Sequence, residues 1–213
     1  MQGVGVGHSW WSEQMCAGDS AEAVDILMTE MPNKRVIVDE SRLTAKVDAG
    51  MVIKDFLDQL SRTGRGYTLG NFPWFTFQTV GGAVATGSHG SSLTYGSLSS
   101  DDMLLSLDVV LANGACAHMR GGGTRHDLTA LLCGTSGTLV QMSKSSHPFL
   151  WTAMQVSVGR LGVITAVTFK ILPNAPMQRY KVDVGVDTFL ATMKRVQDGY
   201  NRAGDAAPEG AGL

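Results

Sequence analysis

Charge, cysteine and long apolar runs are all scarce in these 213 residues, and each shortage removes a class of function. Charged side chains make up only 17% and leave a formal net charge of -2 with no basic cluster. No field exists to gather a polyanion, which excludes nucleic acid as a natural partner. The three cysteines, Cys16, Cys116 and Cys133, are odd in number and lack metal-type spacing, so neither a disulfide framework nor a metal site is expected. His118 and His126 add no zinc pattern to them. No apolar run of about 18 residues exists, and no basic region followed by an apolar stretch and a cleavage site opens the chain. The sequence therefore assigns no compartment.

Glycine is what the chain has in quantity: 26 residues, arranged in clusters. Glycine serves where backbone turns with positive φ or approaches a ligand closely. With 44% hydrophobic residues and a length beyond the usual single domain of roughly 100 to 200, there is material for one large core or two small lobes.

Periodicity places the elements. Apolar residues at Ala23, Ile26, Leu27 and Met31 predict a helix over 19–31, capped by Asp19 or Ser20. Strands are expected at 34–39 and 45–49. Ile53, Phe56, Leu57 and Leu60 form one face of a helix stopped by Gly64 and Gly66. The stretch 67–78 is aromatic and irregular, with Pro73 barring a central strand; it reads as a loop leading into a ligand site. A strand at 104–111 turns through Asn113-Gly114 into 115–119 as a hairpin. Residues 121–146 read as a long, partly helical insertion. A helix at 151–158, a glycine turn at 159–162 and a strand at 163–172 follow. Beyond them come a strand at 180–186, a helix at 188–200 and a Gly/Ala/Pro tail.

Two glycine clusters carry the chemistry. The first is Gly3-Val4-Gly5-Val6-Gly7-His8-Ser9. A dinucleotide-type fingerprint is its first competitor, but the third glycine comes too early and Trp10-Trp11 follows. The second runs from Thr79 through Gly81, Gly82, Thr86, Gly87, Ser88, His89 and Gly90 to Ser91. Amides freed by glycines, helped by the hydroxyls of Thr86, Ser88 and Ser91, predict a concavity for pyrophosphate oxygens that needs no lysine or arginine. His89 is expected to shape this loop and not to move protons. Ser9 and Ser136 lie outside any nucleophile-elbow pattern.

Read together, the clusters resemble the paired flavin-binding loops of the vanillyl-alcohol-oxidase (PCMH-type) flavoprotein superfamily. The first is similar to its G-x-G-H-S loop and the second to its T-V-G-G-x-x-A-T-G-x-H-G loop. A third segment, Gly159-Arg160-Leu161-Gly162-Val163-Ile164-Thr165, resembles the family's G-x-L-G-V-I-T stretch, where the residue matching Ile164 contacts the cofactor. The His-Gly-Ser ending of the second loop, with Tyr95-Gly96-Ser97-Leu98 and Asp108-Val109-Val110, looks most like sugar-lactone oxidases of the L-gulonolactone and D-arabinono-1,4-lactone type and alditol oxidases.

The resemblance implies an α+β, PCMH-type FAD-binding domain of two α+β lobes, at 1–50 and 51–174. Residues 175–213 would open the substrate (cap) domain. It implies FAD as cofactor, bonded through His8, and cofactor contacts from Gly3, Val4, Gly5, Val6, Gly7, His8, Ser9, Thr79, Gly81, Gly82, Thr86, Gly87, Ser88, His89, Gly90, Ser91 and Ile164. The implied reaction is hydride transfer from a sugar lactone or alditol C–H to flavin N5, with dioxygen or another acceptor reoxidising the flavin. Membrane association is left open through parts outside the chain. Relatives carry a helix and strand before the first loop and a full substrate domain after the second lobe, so the chain is expected to be truncated at its N-terminus and to lack most of the C-terminal substrate domain. No catalytic residue is assigned. Two other readings stay open: a degenerate FAD-binding module without turnover, and an NAD-dependent dehydrogenase.

Overall fold

A computed structural model describes residues 2–9, 25–30, 34–92, 94–110, 116–120, 139–143, 148–178 and 181–204. The chain divides into two compact units, Met1–Asn174 and Ala175–Leu213.

The first unit is built on a six-stranded sheet. Its members are β3 (Val36–Asp39), β4 (Thr44–Asp48), β6 (Leu104–Val110), β7 (Cys116–Arg120), β8 (Leu139–Ser143) and β9 (Val163–Lys170), in the order β3-β4-β9-β6-β7-β8. Every neighbouring pair is antiparallel except β7 with β8, which is parallel. Strand β9 is at its centre and is buried from Val163 to Phe169. Its apolar run is therefore the signature of a strand covered on both faces.

The core face follows from period 2. On β4, Ala45 and Val47 turn into the core, and beside them come Leu107 of β6 and Val167 and Phe169 of β9. Against them packs α1 (Ile53–Arg62), whose Ile53, Phe56 and Leu60 are buried at helical spacing; Phe56 stacks on Phe169 with centroids 5.9 Å apart. The opposite sheet face is polar although buried. Lys46 Nζ lies 2.7 Å from Asp108 Oδ2, with side-chain exposures of 8% and 1%, and the pair reaches diagonally across β9. Asp48 shares that face and accepts the Arg35 amide at 2.8 Å.

Four short strands and two helices accompany the sheet in this unit: β1 (Gln2–Val4) parallel to β2 (Asp25–Leu27), β5 (Tyr67–Thr68) antiparallel to β10 (Leu172–Pro173), α2 (Val80–Ala85) and α3 (Pro148–Gln155). The second unit contains one described helix, α4 (Val186–Gly204), with Phe189, Leu190, Met193 and Val196 exposed along it. No described helix is long and apolar enough to cross a membrane.

The α+β class expected from sequence is the class observed, with local differences. Residues 25–30, expected to be helical, form β2 and a 3-10 turn, because Ile26 and Leu27 pair with Gly3 and Val4. Val80, Ala83 and Val84 of α2, within the second glycine cluster, are fully buried in the common core. Strand β8 crosses the stretch expected to be a partly helical insertion. Residues 181–185 form no strand. The Asn113-Gly114 turn, His126, Cys133, Ser136 and the tail beyond 204 lie outside the described residues.

Candidate functional site

A cleft of about 470 Å³ opens in the first unit, within the roughly 300–1,000 Å³ range of small-molecule sites. Three separate segments converge on it. Residues 3–9 form one wall, Gln78, Thr79, Gly81, Gly82, Ala85, Thr86 and Ser88 a second, and Val158, Gly159, Gly162, Val163 and Ile164 a third. Met28 and Ala49 close the remainder. None of the lining residues carries a fixed charge.

Packing explains the glycines. A Cβ on Gly5 would collide with Oγ1 of Thr79, and one on Gly82 would come within 2.9 Å of the same atom. A Cβ on Gly81 would stand 2.8 Å from Cβ of Ala49. The first loop and α2 therefore approach as closely as backbone allows. Gly7 serves a different purpose, with φ of +76° and open space where a side chain would project.

Hydrogen bonding differs between the two glycine clusters. Several amides of the second cluster are engaged within the protein: Val80 donates to Met51 O at 2.8 Å, Gly81 to Ala49 O at 2.8 Å and Ser88 to Ala83 O at 2.8 Å. Gly82 donates to Thr79 Oγ1 at 3.3 Å, with Thr79 capping α2. The hydroxyls form a chain as well, in which Thr86 Oγ1 donates to Gly82 O, contacts Ser88 Oγ at 3.2 Å, and Ser88 Oγ donates to Gln78 Oε1 at 3.0 Å. By contrast, no hydrogen bond among the described residues engages the amides of Val6, Gly7, His8 and Ser9. Donors open to a ligand at the cleft therefore include the amides of the first loop.

Of the residues predicted from sequence, residues 3–9 and Thr79, Gly81, Gly82, Thr86, Ser88 and Ile164 meet at the cleft. Gly87, His89, Gly90 and Ser91 are not part of its lining. Their loop is tied elsewhere: Asn71 Nδ2 donates to the carbonyls of Tyr95 and Gly96 at 3.1 and 2.8 Å, and a Cβ on Gly90 would strike Asn71 and Phe72. His89 is exposed, its Nδ1 2.9 Å from Gly90 O. Sequence reasoning missed Val158, Gly159, Gly162 and Val163 as wall residues. The signal was present in the glycine turn at 159–162. Val158 has φ of +50°, a strained conformation for a β-branched residue, beside Gly159 at +70°. Its amide donates to Ala85 O at 2.8 Å, joining the third wall to α2.

An aromatic row flanks the first loop. The His8 imidazole meets Phe75 edge to face, with centroids 4.6 Å apart and planes at 82°. Phe75 continues to Trp74 at 5.6 Å and to Phe77 at 5.8 Å.

Residues 2–120 of the sequence match the FAD binding domain. The chain belongs to the FAD-binding domain family. Within that family, it is 29% identical to L-gulonolactone oxidase of Bos taurus over 78% of its own length and 30% of that protein's. It is 31% identical to a putative D-arabinono-1,4-lactone oxidase of Neurospora crassa, over 66% of this chain and 20% of the other. A solved structure of alkyldihydroxyacetonephosphate synthase aligns with TM-score 0.57 and 25% identity, covering 81% of this chain and 27% of that one. The chain thus spans less than a third of the length of these relatives.

The cleft fits the family's cofactor on its own evidence. Neutral walls with open amides suit a phosphate chain whose charge is met by backbone dipoles. The Met28, Val163 and Ile164 side suits an apolar ring.

Proposed function

We propose that residues 1–174 hold FAD in this cleft and that the protein is an oxidoreductase of the sugar-1,4-lactone oxidase type. The observation that carries the reading is the convergence of the three glycine-bearing segments on one uncharged cleft, in a chain of the FAD-binding domain family. FAD would supply a two-electron acceptor for hydride from a sugar lactone or alditol C–H, and dioxygen or another acceptor would take the electrons onward. The amides of residues 6–9 bind the pyrophosphate, and Thr79, Thr86 and Ser88 brace the facing wall. Met28, Val163 and Ile164 exclude water from the ring. His8, at the cleft edge, is the covalent anchor. Residues 175–213 open the part of the molecule that holds the sugar. The names of the lactone-oxidase relatives support the substrate class.

The test is direct. The purified protein is denatured and weighed: a flavin-sized increment mapping to the peptide with His8 is expected, along with yellow colour before denaturation. A colourless protein that FAD titration cannot reconstitute would end the proposal. Anaerobic addition of an aldono-1,4-lactone should bleach the bound flavin; persistent colour would leave a binding module without turnover.

A further inference from the structure

We propose that Phe75 is the positioning residue for His8, its ring holding the imidazole at the cleft edge; this rests on the reading of His8 as the FAD anchor. His8 follows Gly7 on a loop with open space beside it, is exposed, and makes no hydrogen bond among the described residues. Its one ring contact there is the edge-to-face meeting with Phe75 at 4.6 Å. An imidazole so placed has several staggered orientations to choose from; the Phe75 ring excludes those that would overlap it, and the edge-to-face contact favours the one observed.

Phe75 is suited to the task because its own segment is fixed. The carbonyls of Thr76 and Gln78 accept the amides of Lys54 and Ile53 at 2.9 Å each, tying the loop to the start of α1. Thr79 then bridges to Val52. Phe75 also lies outside the hydrophobic core, whereas its neighbour Phe72 packs against it. Core packing therefore does not explain why an aromatic ring stands at this position, and Trp74 beside it is 90% exposed.

Attachment of His8 to the flavin 8α-methyl breaks one methyl C–H and the imidazole N–H and forms an N–C bond. Two protons and two electrons leave, and dissolved dioxygen takes them up as hydrogen peroxide. The rate of this step depends on how often the imidazole is correctly aimed, which is what Phe75 would govern.

The full chain is prepared free of flavin and incubated aerobically with FAD, and flavin that survives denaturation is followed over time across FAD concentrations. F75L is expected to lower the maximal rate at saturating FAD at least tenfold while the half-saturating concentration moves less than threefold, and F75Y is expected to restore the rate. An F75L maximal rate equal to wild type overturns the positioning role alone. If wild type binds FAD but releases all of it on denaturation, the anchor reading of His8 fails, and the role of Phe75 with it. A fall in which half-saturation rises in step with the lost rate assigns Phe75 to loop structure and likewise overturns the proposal.

Discussion

At the scale of single residues, Gly5 and Gly7 are both glycine for unlike reasons, and substitution separates them. Gly5→Ala drives a methyl group into Thr79 and should raise the FAD dissociation constant at least tenfold, about 1.4 kcal/mol, in a flavin fluorescence titration. Gly7→Ala meets nothing but retains a left-handed φ, so it should destabilise the fold by about 1 kcal/mol in urea unfolding. Asp48 has a pH signature. Burial lifts its carboxyl from 3.8 to about 6 against the opposing pull of Arg35 and Lys46. Between those values the folded chain keeps a proton that the unfolded chain has released. Its contribution is full below pH 3.8, is lost as pH rises to about 6, and is constant above. The change amounts to at most about 3 kcal/mol. Asp48→Asn should remove this decline from a plot of unfolding midpoint against pH; an unchanged slope would assign it to other groups.

Among elements, β4 and β6 are bound across β9 by the Lys46–Asp108 pair. Asp108→Asn alone should cost about 3–5 kcal/mol, since it takes the directly paired carboxylate from a buried ammonium. A joint replacement of both by apolar residues should recover most of that loss in urea unfolding. These elements also show what sequence conveys. Strand β9 and helix α1 were legible because a buried run and a 3.6-residue stripe are local patterns. Strand β2 was not, because its three residues become a strand only by pairing with residues 2–4 far away in the chain. Helix α2 was masked by its glycines, which weaken helix propensity, while Thr79 capping and burial against Ala49 supply what propensity lacks. The candidate site divides the same way: glycine clusters announce close backbone approach, but which amides remain open depends on tertiary partners that no motif records.

For the molecule as a whole, every residue lining the cleft lies between Gly3 and Ile164, inside the unit Met1–Asn174. A chain ending at Asn174 should therefore bind FAD with an affinity within threefold of the full sequence, by the same titration. FAD at a hundredfold excess over its dissociation constant should stabilise that unit by about 2.7 kcal/mol. The position of β9 then gains a meaning in time. Its Thr165 carbonyl accepts the Ala49 amide at 2.9 Å, so one cleft wall is continuous with the centre of the sheet, whereas the amides of Val6 to Ser9 are held by nothing among the described residues. Such a site has one wall that opens only when the whole unit unfolds and another that opens on its own. Deuterium should enter residues 6–9 early and 163–169 last, and a bound cofactor should slow the first set while leaving the second nearly unchanged. Entry of the ligand is then a matter for the glycine loop, on a clock faster than that of the fold.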